Sequence, residues 1–171
     1  MAAEVLYIAQ NSSRPTAAAP VKQPTGGAVR TMLQLASATT SGIYIVEWGI
    51  SFDGSAAATP IQVELFGCTG AATMSTALVA ADVQCLTDPN GPVNNTLQFG
   101  ASLSAFATAT VTEGTVASYR PFDEQQIAPS SQYVKQFPLG REPAIGPSQF
   151  VRVRVTAAAT VNATIYVVFG D

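Results

Sequence analysis

Alternation of apolar and polar residues with a period of two is the clearest pattern in this chain, and it is typical of a β-strand with one buried face. From Ile43 to Phe52, one set of alternate residues is wholly apolar: Tyr44, Val46, Trp48, Ile50 and Phe52. We expect this set to face the core, although the other set also begins with Ile43 and Ile45. After a turn at Asp53-Gly54, a second strand is predicted, in which Ile61, Val63 and Leu65 share one face.

The carboxyl end carries two more alternating runs. Val151, Val153 and Val155 alternate with Arg152, Arg154 and Thr156, and a short Ala-rich connection leads to Val161–Phe169. We predict that these two runs form a terminal β-hairpin. The last run is nearly apolar on both faces, so we expect it in the middle of a sheet or at a subunit interface.

Weaker strand patterns lie between these anchors, separated by Pro-rich and Gly-rich turns: Val83–Leu86, Leu97–Phe99, Ala107–Tyr119, Gln125–Ala128 and Tyr133–Phe137. Thr73–Ala81 fits either a short helical turn or a strand. Many short strands with frequent turns favour an all-β, jelly-roll-like β-sandwich of two packed sheets.

The amino-terminal region reads as an extended arm. Asn11–Gly27 contains three prolines and almost no bulky apolar side chains, so it cannot form a core of its own. An apolar segment, Val5–Ile8, precedes this arm. It can either dock on a neighbouring subunit or pair with the chain's own sheet. We therefore predict an amino-terminal strand and arm over residues 1–30 and a β-sandwich domain over residues 31–171.

The composition favours a protein that packs into an assembly. Hydrophobic residues make up 47% of the 171 residues and charged residues only 11%, so much of the surface is neutral and loses little when covered. The net charge is −3, yet Arg14, Lys22 and Arg30 are the only charges between Val5 and Val46, which leaves −6 on the rest. These three cations are candidate contacts with an acidic neighbour, and an acidic body disfavours nucleic acid as a partner.

The sequence also limits location and redox state. It has no run of about 18 or more apolar residues, so we expect no membrane-spanning helix. Met1–Gln10 lacks the basic start and apolar core of a signal peptide, which predicts synthesis in a host cytoplasm. Reducing cytosol favours free thiols for Cys68 and Cys85.

Candidate chemistry is sparse. The chain contains no histidine, which removes the commonest general base and the usual zinc ligand. We predict no catalytic residue, no cofactor and no metal site. The carboxylate pairs Asp123-Glu124 and Glu47 with Glu64, possible cross-strand neighbours, are assigned to solvated strand faces and not to acid-base catalysis.

Arg152 and Arg154 share one face of their strand, so their guanidinium groups should project together. They can pair with acids on an adjacent strand or contact a partner subunit, and both roles are structural. With the cations of the arm, the candidate interface residues are Arg14, Lys22, Arg30, Arg152 and Arg154.

Four segments resemble the small virion proteins of tailed bacteriophages, notably the head decoration or cement proteins: Ile43–Phe52, Asp88–Pro92, Tyr133–Arg141 and Phe150–Phe169. The resemblance implies a jelly-roll-like sandwich in a homotrimer. It also implies binding to the major capsid protein on the outer capsid surface, where the trimer stabilises the shell against internal DNA pressure. It carries no catalytic residues.

Two other classes of protein stay open. A receptor-binding or carbohydrate-binding virion module would share the β architecture and would carry clustered exposed aromatic residues, for which Tyr119, Phe122 and Tyr133 are candidates. A small enzyme would instead carry an acidic pocket.

Overall fold

A computed structural model describes residues 5–13, 17–54, 59–88 and 95–171. Within these ranges the regular structure is β, apart from one 3-10 turn at Ala80–Asp82. The strands in chain order are β1 (Leu6–Gln10), β2 (Gln23–Pro24), β3 (Val29–Ser37), β4 (Ile43–Phe52), β5 (Ile61–Cys68), β6 (Thr76–Ala77), β7 (Gln84–Cys85), β8 (Leu97–Gln98), β9 (Ala105–Phe106), β10 (Arg120–Ile127), β11 (Gln132–Gln136), β12 (Ala144–Ile145), β13 (Phe150–Thr156) and β14 (Asn162–Gly170).

The strands form two antiparallel sheets. The first sheet has the order β11-β4-β14-β1-β7, with β12 beside β4 and β2 beside β14. The second has the order β10-β5-β13-β3-β9-β6, with β8 beside β3. The predicted all-β sandwich is confirmed.

The long strands have the connectivity of a jelly roll. Eight strands contain five or more residues: β1, β3, β4, β5, β10, β11, β13 and β14. Numbered one to eight along the chain, they follow the order 1-8-3-6 in the first sheet and 2-7-4-5 in the second. This order is that of two interleaved Greek keys, in which most consecutive strands lie in opposite sheets.

The face of β4 changes at a β-bulge. Trp48, Ile50 and Phe52 are buried as predicted, but Ile43 and Ile45 are buried with them, and Tyr44 and Val46 lie half-exposed on the other face. The register along β14 passes from Glu47 directly to Ile45, so Val46 has no partner there. A bulge inserts one residue and thereby exchanges the two faces beyond it. The prediction that Tyr44 and Val46 face the core is therefore wrong.

The two carboxyl-terminal strands lie in opposite sheets. Val151, Val153 and Val155 of β13 are buried, and β14 lies centrally between β4 and β1, both as predicted. The predicted terminal hairpin is wrong, because β13 belongs to the second sheet and β14 to the first. Residues 157–161 can span up to about 17 Å, enough to cross the roughly 10 Å between packed sheets.

The amino-terminal strand is part of the sandwich. β1 pairs with β14 and β7, and it places Tyr7 and Ala9 in the core. β2 pairs with the start of β14, and the Asn11 side chain bonds the Ala163 carbonyl and the Ile165 amide. Of the two alternatives for the apolar amino-terminal segment, the structure has pairing with the chain's own sheet. The predicted boundary at residue 30 falls inside β3.

Residues 69–119, here called the long connection, join β5 to β10; residues 89–94 lie outside the described part. The long connection adds β9 and β6 beyond β3 and adds β7 beyond β1. Both sheets are thereby extended at the same side of the sandwich, while β10 and β11 are the edge strands at the other side. Ala107–Tyr119 forms only an isolated bridge, between Thr112 and Thr73, instead of the predicted strand.

Candidate interaction surface

The described candidate interface cations Lys22, Arg30, Arg152 and Arg154 all have partners within the chain. Arg14 lies outside the described residues. Lys22 Nζ is 2.9 Å from Asp53 Oδ2, and this hydrogen bond lowers the pKa of the Asp53 carboxyl. Arg30 Nη1 donates to the Pro24 carbonyl oxygen at 2.9 Å. Lys22 and Arg30 thus have partners in their own chain, and their contact with a neighbour stays a prediction.

Arg152 is fully buried on the outer side of the second sheet. Its Nη2 donates to Thr31 Oγ1 at 2.6 Å and forms an ion pair with the Glu113 carboxylate. Its guanidinium carbon lies 5.4 Å from the centre of the Phe66 ring. Arg152 has an exposure of 0% and therefore offers no surface to a partner subunit. Glu113, its counter-ion, belongs to the long connection and was not singled out by the sequence.

Arg154 pairs with an acid on the adjacent strand, which was one of its two predicted roles. Its Nε and Nη2 donate to the two Glu64 carboxylate oxygens at 2.7 and 3.1 Å, across the β13–β5 pair. Tyr119 Oη donates to the same carboxylate at 3.0 Å. Burial raises the pKa of Glu64, but the hydrogen bonds from Arg154 and Tyr119 outweigh it and the net shift is downward.

The long connection covers the outer face of the second sheet. Gln34 of β3 receives a hydrogen bond from the Ala72 amide and donates to the Ala72 and Leu103 carbonyls. Together with the Arg152–Glu113 pair, these bonds join the sheet to the segment above it. Outward-facing residues of this sheet are therefore buried inside the protomer, and the charged layer beneath the long connection is structural.

Asp123 joins the two sheets at the side of the sandwich formed by the edge strands β10 and β11. Its carboxylate accepts hydrogen bonds from Trp48 Nε1 at 3.1 Å, Tyr133 Oη at 2.9 Å, Lys135 Nζ at 3.1 Å and Gln125 Nε2 at 3.0 Å. Burial raises the pKa of Asp123, but these donors stabilise the anion and the net shift is downward. The assignment of Asp123 to a solvated face was wrong. A core tryptophan needs an acceptor for its indole N–H, which is the signal that points to such a residue.

The remaining candidate groups do not converge. Glu47 lies on the first sheet and Glu64 on the second, so the predicted cross-strand pair is wrong. Tyr119 packs on Phe66 of the second sheet, whereas Tyr133 packs on Trp48 of the first. Cys68 and Cys85 are free thiols, as predicted. Within the described residues there is no group of three or more possible metal ligands and no helix able to cross a membrane.

The outer face of the first sheet remains partly open to solvent. Its half-buried side chains are mainly apolar or neutral: Leu6, Ile8, Tyr44, Val46, Ser51, Thr164 and Tyr166. Val134 on the edge strand is 55% exposed. Glu47 is the one charged side chain among the described strand residues of this face. Its Oε1 accepts a hydrogen bond from Tyr166 Oη at 2.5 Å.

A depression of about 90 Å³, here called the sheet pocket, lies between β11, β4 and β14. It is lined by Ile50, Ser51, Gln132, Tyr133, Val134, Thr164 and Tyr166. Gly49 determines the position of its Tyr166 wall, because a Cβ at residue 49 would lie 2.4 Å from Tyr166 Cε1. Burial and the bond to Glu47 raise the pKa of Tyr166, so its hydroxyl stays protonated.

Comparison with known proteins identifies no family. No protein-family model and no curated protein matches the chain. Among solved structures, matches include the VP2 subviral particle of infectious bursal disease virus, with 9% identity and a TM-score of 0.22, and the Gx strain of that virus, with 11% and 0.19. Each match covers 96% of this chain but 41% of the other chain. At these TM-scores neither match identifies a relative, and the fold assignment rests on the strand order of the two sheets.

Proposed function

We propose that this protein is a non-catalytic structural subunit of a virion, which decorates and stabilises a tailed-phage capsid by binding the major capsid protein as a homotrimer. One observation carries this proposal: the long connection buries the outer face of the second sheet, whereas the outer face of the first sheet stays partly exposed and nearly uncharged.

A protein normally keeps apolar sheet faces covered, and a partly apolar face with few charges is typical of an interaction surface. Strand β14 contributes Tyr166 and Val168 to this face and is apolar on its inner side too. The low charged fraction of 11% supports packing of copies without strong repulsion. The resemblance of four segments to phage head decoration proteins supports the capsid as the site of assembly.

The side-chain chemistry supports a structural role. Glu64, Asp123 and Glu113 hold tyrosine, tryptophan and cationic partners in place and so serve as anchors of the fold. Their ion pairs and hydrogen bonds join strands and connections of the protomer. The chain has no histidine to act as a general base.

Two measurements test the proposal. Sedimentation equilibrium at micromolar concentration should return three times the 17.7 kDa of one chain. Cosedimentation with emptied capsids of the phage that carries the gene should show saturable binding. A monomer at every concentration, or no binding to capsids, would contradict the proposal, and binding to glycans alone would favour the carbohydrate-binding module.

A matched pair of variants locates the surface. Val134 on the first sheet and Val79 on the long connection have the same exposure of 55%. We expect Val134→Lys to weaken assembly or capsid binding, because it introduces a charge on the open sheet face. Val79→Lys introduces the same charge elsewhere and should have no effect. The reverse order of effects would place the interface on the long connection.

A further inference from the structure

A tight turn projects one apolar side chain into solvent. Leu139 follows β11 and is 91% exposed, the highest exposure among the large hydrophobic residues described. The Arg141 amide donates to the Pro138 carbonyl at 2.9 Å, and Gly140 has a φ of 78°. This is a type II turn with glycine at the position that requires a positive φ. The turn holds Leu139 at its tip with little conformational freedom to lose on docking.

The sheet pocket has the size and lining to receive such a side chain. Its volume of about 90 Å³ is several times the roughly 10 to 15 Å³ needed to hold one water molecule. Val134, Tyr166, Ser51 and Thr164 are among its lining residues, and the exposed lining is mainly apolar. The isobutyl group of a leucine can replace water there and bury apolar surface on both partners.

The charges beside the two features are complementary. Arg141 lies two residues after Leu139, and Glu47 accepts a hydrogen bond from Tyr166, which is one of the residues that line the pocket. The ion pairs found among the described residues involve neither Arg141 nor Glu47. The turn therefore presents an apolar group next to a cation, and the pocket presents an apolar depression next to an anion.

The turn and the pocket lie at opposite ends of β11. The pocket lies beside Gln132 and Tyr133 at the start of β11, whereas Leu139 comes after the strand has ended. Extended chain rises about 3.3 Å per residue, so the two ends of β11 lie roughly 13 Å apart, with the pocket at one end and the turn beyond the other. Leu139 is 91% exposed, so it does not occupy the pocket of its own chain and is available to another copy.

We propose that Leu139 of one copy inserts into the sheet pocket of another copy and that Arg141 pairs with Glu47 across the contact. The inference rests on the proposed self-assembly and names its central contact. Every copy carries both the turn and the pocket, so each can give and receive one contact and the assembly can close into a ring.

Sedimentation velocity of the full chain tests the contact. We expect Leu139→Asp to weaken self-association by about 30-fold or more, the effect of removing an interface hot spot. Val79→Asp, which alters a second exposed hydrophobic residue, should leave association unchanged. Because Leu139 is 91% exposed, both variants should unfold at the temperature of the wild type.

Charge reversal tests the pairing. Arg141→Glu and Glu47→Arg should each weaken association about tenfold, and a mixture of the two variants should associate better than either alone. The mixture places reversed charges opposite each other, so this gain would not arise from a general loss of stability.

The outcomes separate the two proposals. If the wild type assembles and Leu139→Asp assembles equally well, the contact is overturned while self-assembly stands. If the mixture of charge variants shows no recovery, the pairing of Arg141 with Glu47 is overturned. A wild type that stays monomeric at all concentrations would overturn both the contact and the assembly.

Discussion

The ion pair between Arg152 and Glu113 leads to a specific prediction for stability. Glu113→Gln keeps the size of the side chain but leaves the Arg152 guanidinium buried without a counter-ion. Breaking a fully buried pair by removing one partner costs about 3 to 5 kcal/mol. Arg152 has a side-chain exposure of 0% and Glu113 of 24%, so water compensates part of this cost. We expect the free energy of unfolding to fall by about 2 to 3 kcal/mol.

The assay is urea unfolding followed by tryptophan fluorescence. Trp48 is the single tryptophan and is fully buried, so its emission reports loss of the core. Glu142→Gln is the matched control at a half-exposed carboxylate and should change stability by no more than about 0.5 kcal/mol. In Arg152→Met/Glu113→Gln no unpaired buried cation remains, so we expect a coupling energy of about 1 to 3 kcal/mol between the two changes.

Hydrogen exchange provides the local readout. Glu113 bonds the long connection to Thr31 and Arg152 of the second sheet. The backbone amides of the long connection should therefore exchange faster in Glu113→Gln than in the control Glu142→Gln. If the variant is as stable as the wild type and exchange of the long connection is unchanged, this ion pair does not hold the segment on the sheet.

Three further predictions follow from the fold. The folded-state pKa of Asp123 lies below its unfolded value, so the stability that its carboxylate contributes is present above about pH 4 and is lost as the pH falls through the folded pKa. Urea titrations from neutral to acidic pH should show this loss, and the part of the loss due to Asp123 should be absent in Asp123→Asn. Gly49→Ala should lower the free energy of unfolding by about 1 to 3 kcal/mol, because the added Cβ would clash with the Tyr166 ring. The control Gly146→Ala should unfold like the wild type, because its added Cβ would lie 3.5 Å from the nearest atom. Deletion of residues 1–10 removes β1 with its buried Tyr7 and should cost at least about 3 kcal/mol in calorimetry; a truncated chain of wild-type stability would show that β1 is dispensable to the fold.

Strand identity could be read directly from the sequence. In a strand, alternate side chains point to opposite faces, so burial of one face leaves a period of two in the chain itself. Val151, Val153 and Val155 follow this rule and are buried. The central place of β14 was also predictable, because a strand that is apolar on both sides is stable only when both sides are largely covered.

The partners of the strands were decided by the tertiary structure. The bulge at Val46 arises from the register between β4 and β14, which are more than 100 residues apart in the chain, and no local pattern encodes it. The places of β13 and β14 in opposite sheets likewise depend on which earlier strands they join.

Arg152 shows the same limit for a candidate functional residue. On its strand it has the pattern of an exposed cation, because it alternates with buried valines. Its burial depends on the long connection, which brings Glu113 onto the outer face of the second sheet. Alternation shows which residues share a face of a strand. Which segment covers that face depends on contacts between distant parts of the chain.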